Sequence, residues 1–172
     1  MANDEGRMVF AVAGYNPDTK EFTDFLGEFN NESDRGAVLS STAYIDTLLA
    51  ATLRAFLVDN TSAASLVRRA LRSFAARIEA CHAMGILSDD ELNDCDLLRD
   101  VRNKFAHHPK MSFADGDVAK LCGRLKLISV NPAGAPPNNR MRFQSSAINV
   151  ISKLLKRPKA VEARRLKPGS WA

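Results

Sequence analysis

Arg102, Asn103 and His107 are the residues of this chain whose types and spacing fit a chemical task. They stand in the run Arg102-Asn103-Lys104-Phe105-Ala106-His107, at the end of an apolar-periodic segment. On a helix turning roughly 100° per residue, Asn103 and His107 lie one turn apart on one face, with Arg102 at its edge. Arginine offers a planar, permanently charged fork that matches a phosphate, and an imidazole titrates near neutral pH and can move a proton. In metal-independent RNA cleavage a base takes the 2′-hydroxyl proton, an acid protonates the leaving oxygen and a cation steadies the charge on phosphorus. One histidine and one arginine do not fill that inventory, so a second copy of the site across a dimer is the natural supplement.

The same residues also admit a structural role. His107 or His108 at a helix carboxyl end favours the helix dipole, and Arg102 can pair with an acid such as Asp34 or Asp46. Glu32, Asp34 and Arg35 form a second charged cluster, read as the start of a helix capped by Ser33 or Asp34, with support of the site as the alternative. His82 reads as a hydrogen-bonded or half-exposed histidine on a mainly apolar helix.

The elements that must position these residues are helical. Asp18 or Thr19 can cap a short helix through Phe22, Phe25 and Leu26 that stops at or soon after Gly27. From Ser33 or Asp34 to about Val58, apolar residues such as Val38, Leu49, Leu53 and Phe56 recur at three- and four-residue intervals, which predicts the central helix of the fold. Thr61 or Ser62 can cap a segment through Leu71, and Phe74 to Met84 forms another that ends at Gly85. Ser88-Asp89-Asp90-Glu91 is a capping box opening a long helix that Pro109 must end near His107 or His108. A helix from Asp115 or Asp117 to Leu125, a Pro- and Asn-rich loop over 129–139, and a last helix from Arg140 to Lys156, limited by Pro158, complete the reading. Met8-Val9-Phe10-Ala11-Val12 looks strand-like but has no partner strand.

With 172 residues and 45% apolar content, the chain is long enough for one domain with a proper core. No window reaches the roughly 18 consecutive apolar residues of a membrane span, and the first five residues lack the basic start of a secretory signal. A cytoplasmic protein is expected. Cys81, Cys95 and Cys122 read as reduced core thiols, and no cysteine or histidine cluster points to zinc or to any cofactor. The net charge of +4 conceals a polarity: residues 1–60 hold ten acids and four bases, residues 61–172 ten acids and twenty bases. Lys153, Lys156, Arg157, Arg164 and Arg165 lie in a basic run near the end that can neutralise phosphates or bind a partner, or can stay solvated.

The Arg-x4-His arrangement with a polar residue directly after the arginine resembles the signature of the HEPN superfamily, helical bundles that include dimeric, metal-independent RNases. That resemblance implies catalytic roles for Arg102, Asn103 and His107. Longer segments carry a narrower likeness: Glu32-Ser33-Asp34-Arg35-Gly36, then Phe74-Ala75-Ala76-Arg77-Ile78 leading to Met84-Gly85-Ile86-Leu87, then Leu97-Leu98-Arg99-Asp100-Val101 running into the opening motif. In this order and spacing, over about residues 28 to 125, they are similar to the MltR family, the mannitol operon repressor and its relatives. The narrower likeness implies a transcriptional regulator that works through protein partners, and no helix-turn-helix signature is visible in the sequence.

The expectation is an all-α, single-domain bundle of six or seven helices spanning 19–157, with an N-terminal extension over 1–18 and a flexible basic tail over 158–172. The leading functional reading is an MltR-like negative regulator of an operon that makes no sequence-specific DNA contact and engages no membrane. The competing one is a homodimeric, metal-independent endoribonuclease, and a plain nucleic-acid-binding module driven by the tail comes third.

Overall fold

The computed structural model describes residues 20–129 and 135–170. They form an all-α bundle: α1 Lys20–Asn31, α2 Asp34–Phe56, α3 Thr61–Arg69, α4 Phe74–Ala83, α5 Asp89–His107, α6 Gly116–Gly123 and α7 Asn139–Glu162. No strand occurs among the described residues. The strand-like segment 8–12 and the caps at Asp18 or Thr19 lie outside them.

Side-chain caps start most of these helices, because the first turn leaves backbone N–H groups without partners. The Ser33 hydroxyl accepts from the Gly36 N–H, Asn60 from Ala63, Ser73 from Ala76 and Asn138 from Met141. Ser88 and Glu91 form the full reciprocal capping box. At the end of α4, Gly85 takes φ +66°, where a side chain would be strained, and the Ile86 and Gly85 N–H groups donate to the carbonyls of Cys81 and His82.

Three boundaries differ from expectation. α1 continues past Gly27 to Asn31, since an internal glycine costs only about 1 kcal/mol and the buried Phe29 ring docks the final turn. α3 is capped by Asn60, one residue before Thr61. α7 runs through Pro158 to Glu162 instead of stopping at Lys156. Proline there forfeits one hydrogen bond, but Val161 is buried beyond it and Arg157 is anchored beside it, so packing outweighs the local cost. The boundary drawn at residue 158 therefore falls inside a helix, and the Leu166 N–H donates to the Phe56 carbonyl at 2.8 Å.

α2 is the centre of the bundle, packed mainly against α7 and also against α5 and α4. Ile45, Leu49 and Leu53 of α2 are buried with Phe143, Ile148 and Ile151 of α7 and with Leu98 and Val101 of α5. By length and composition α2 could cross a membrane, yet its apolar stripe is spent on this core. Phe113 lies between Phe105 and Phe143, with ring centroids 5.2 and 5.4 Å away. This tilted row ties the carboxyl end of α5 to the first turns of α7.

Candidate functional site

α5 reaches the site with its rotation already fixed. Leu98, Val101 and Phe105 are buried along one side, so the register of the helix turns Arg102 and His107 toward solvent. The last carbonyls of any helix lack intrahelical donors. Here Arg35, at the start of α2, supplies them: its guanidinium donates to the carbonyls of Phe105, of Ala106 at 3.3 Å and of His108 at 3.5 Å. His108 is the C-cap, its N–H donating to the Lys104 carbonyl at 3.1 Å, and Arg35 supplies the side-chain donors that close the helix. Arg35 is thus support for the site and is not aimed into it.

Neither acid proposed as a partner for Arg102 meets it. Asp34 pairs with Arg140 of α7, which also donates to the Glu32 carbonyl at 2.8 Å, and Asp46 pairs with Arg77 at 2.6 Å. Arg102 instead donates to the neighbouring Asn103 Oδ1 at 3.1 Å and forms no ion pair among the described residues. The His107 side chain is exposed, with no hydrogen bond or ion pair among the described residues. Lys104 is held by Asp117 at 3.1 Å, an interaction that lowers the Asp117 carboxyl below its ordinary range.

Asn103, Lys104, His107 and His108 line a shallow pocket of about 350 Å³, closed by Asp100 and Leu121. A second hollow of about 440 Å³, lined by Pro109, Lys110, Met111 and Asp115, shares His108 with the first. Arg102 lines neither hollow and is tied to the first only through its hydrogen bond to Asn103, so an amide and an imidazole share the pocket with a guanidinium held next to it. Such a set can orient and neutralise a phosphate and exchange one proton with it. Glu32 lies elsewhere: it lines an acidic hollow on α1 with Asp24 and Glu28.

The basic run near the end of the chain divides in two. Arg157 donates to Glu91 at 2.6 and 3.3 Å and to the Ile86 carbonyl, and Lys153 lies 3.8 Å from the same carboxylate. Arg165 sits 3.6 Å from both Asp59 and Glu162. Arg157 and Arg165 are committed to intramolecular pairs, whereas Lys156 and Arg164 are exposed without ion pairs among the described residues. Burial pushes the Glu91 carboxyl up, but the Arg157 hydrogen bond, the Ser88 N–H and the charges of Arg157 and Lys153 outweigh it and hold the group below its ordinary value.

Two positioning residues escaped the sequence reading. Asp94 is fully buried and accepts from the Lys126 and Leu127 N–H groups at 2.9 and 2.8 Å and from the Ser146 hydroxyl at 2.7 Å. Its signal was an acid on the apolar face of α5, between Glu91 and Leu98. Arg140 had none, because its partner Asp34 lies 106 positions away.

His82 meets Asp89 at 2.9 Å, as a half-exposed, hydrogen-bonded histidine should. Cys81, Cys95 and Cys122 are buried free thiols, and burial raises Cys81 and Cys122 to about 12. Among the described residues no group of three or more His, Cys, Asp or Glu side chains could hold a metal ion. Comparison of the chain with protein-family models, with curated proteins and with solved structures found no match in any of the three.

Proposed function

We propose that the open end of α5 handles the phosphodiester backbone of RNA, and that the chain acts as a homodimeric, metal-independent endoribonuclease of HEPN type. The observation that supports this reading is the separation of labour at α5: Arg35 closes the helix, which leaves Arg102 and His107 exposed and without an acid partner among the described residues. A surface arginine used for folding would have an acid or a carbonyl to hold. In this reading Arg102 takes the phosphate, His107 moves a proton, Asn103 orients Arg102, and a second copy completes the acid-base pair. Incubation of single-stranded and structured RNA with the purified protein in EDTA tests it. Cutting that disappears in Arg102→Ala and His107→Ala supports the reading, and intact RNA at high protein concentration overturns it.

The second reading is an MltR-like negative regulator acting through protein partners. It is favoured by the way the segments that carry that likeness converge on one scaffold: Arg35 caps α5, Arg77 holds Asp46 of α2, and Gly85 turns the chain toward α5. These are positions a shared fold would keep whether or not RNA is cut. In that case the protein leaves promoter DNA unshifted at physiological salt while deletion of its gene raises transcription of a target operon. A sequence-specific shift by the purified chain would sink it.

A further inference from the structure

An acid-free stretch runs from Asn60 to Ile78 and contains four arginines. Arg77 is used internally: it pairs with Asp46 and its Nε donates to the Leu71 carbonyl at 2.8 Å. Arg68, Arg69 and Arg72 are exposed, and none forms an ion pair or hydrogen bond to an acid among the described residues. α3, which carries the first two, buries only Val67 against the bundle. Three guanidinium groups within five residues repel one another; the carboxyl end of α3 offsets part of that repulsion for Arg68 and Arg69, and no acid among the described residues pairs with any of the three.

This face is extended by the chain after α7. Leu166 N–H donates to the Phe56 carbonyl and Arg165 reaches Asp59, which sets exposed Arg164 and Lys167 beside the connection from which α3 departs. The Leu71 to Arg77 to Asp46 relay shows that α3 then runs back along α2. Arg35 marks the α5 end of α2, so at 1.5 Å per residue the patch begins roughly 15 Å farther along that helix and the tail joins it at roughly 30 Å. The patch is therefore distinct from the pocket at Asn103 and His107.

We propose that Arg68, Arg69 and Arg72, continued toward the end of α2 by Arg164 and Lys167, form an extended contact surface for the phosphate backbone of RNA. The unpaired guanidinium groups call for a polyanion, and the choice of RNA among polyanions rests on the function proposed above. Fork-shaped donors suit phosphate oxygens, and a backbone contact of this kind carries no sequence preference.

The test is fluorescence anisotropy of a labelled single-stranded RNA, 2′-O-methylated so that 2′-hydroxyl-dependent cleavage cannot destroy it, with the full chain in EDTA, titrated over about 50 to 200 mM salt. Arg68→Gln/Arg69→Gln/Arg72→Gln is expected to weaken binding about tenfold or more and to lower the slope of log K against log salt by about 2, the value for three lost phosphate contacts on a single strand. The corresponding triple lysine variant, which keeps the charge, retains the wild-type slope and shows that folding is intact. Unmodified RNA that the wild-type chain binds but never cuts defeats the nuclease reading and leaves this surface standing. Unchanged affinity and slope in the glutamine variant overturn the proposal. So does absence of RNA binding at low salt, whether the same variant then abolishes capture by phosphatidylserine vesicles or self-association through the acidic face of α1.

Discussion

Arg35 and Ala106 meet across 71 positions of sequence, the guanidinium Nη2 donating to the helix-terminal carbonyl at 3.3 Å. Neighbouring donors of the same group take the carbonyls of Phe105 and His108. The first turn of α2 thereby finishes α5, and the backbone that carries His107 is fixed from outside its own helix. The His107 imidazole lines the same pocket as Asn103.

Arg35→Ala removes a charged donor from three carbonyls. Hydrogen bonds to charged groups contribute about 1.5–3 kcal/mol, so urea denaturation should show a loss of that order. Arg35→Lys restores only part of it, since an ammonium cannot span the same acceptors as a fork.

Arg102→Ala and His107→Ala should behave differently. Both side chains are exposed and unpaired by acids, so thermal and urea unfolding should place each variant within about 0.5 kcal/mol of the parent. Phe105→Ala, one turn away on the buried side, should cost about 3–5 kcal/mol in the same experiment. A large loss in Arg102→Ala would return that residue to a folding role.

Glu91 predicts an acid-sensitive fold. Its carboxyl is held below the ordinary value in the folded chain, so its contribution is present above the unfolded-state value near 4.5 and is lost as pH falls through the folded one. Stability measured by urea titration should fall as pH is lowered below about 4.5, and Glu91→Gln should flatten that decline. Arg157→Ala, which strands a buried carboxylate, should cost about 3 kcal/mol at neutral pH.

Asp94→Ala should open the segment after α6. It leaves the Lys126 and Leu127 N–H groups without their acceptor, at about 1–3 kcal/mol each, and hydrogen exchange at these two amides should accelerate more than exchange in α2.

Burial holds the thiols of Cys81 and Cys122 protonated up to about pH 12, so none of the three buried cysteines should react with a thiol reagent at neutral pH until the chain is unfolded. Reaction in the native state, measured by the absorbance of the released thiolate, would show that the core opens around them.

The helices were legible because their signals are local. The Ser88 to Glu91 box, the apolar spacing of α2 and the glycine after α4 each act within a few residues and sit where the sequence puts them. Pro158 misled because its local cost is real but smaller than the packing of Val161 and the anchoring of Arg157, neither of which has a local mark. At the site, helical spacing placed Asn103 and His107 correctly on one pocket wall, while the partners of Arg102, Asp34 and Asp46 could only be guessed. Charge pairing between distant segments depends on the three-dimensional approach of α2, α4, α5 and α7, and a linear pattern carries no record of it. The basic run near the end was an instance: its composition was plain, its division between Glu91, Asp59 and solvent was not.

The main packing of α2 is against α7, and 83 positions separate Phe56 from Asn139, the facing ends of the two helices in sequence. During synthesis α2 leaves the ribosome with its principal partner still unmade. Its apolar stripe must wait, exposed or held by a chaperone, until α7 emerges. Folding of this chain should therefore be paced by a late, non-local closure and should be slower than the helix content alone implies.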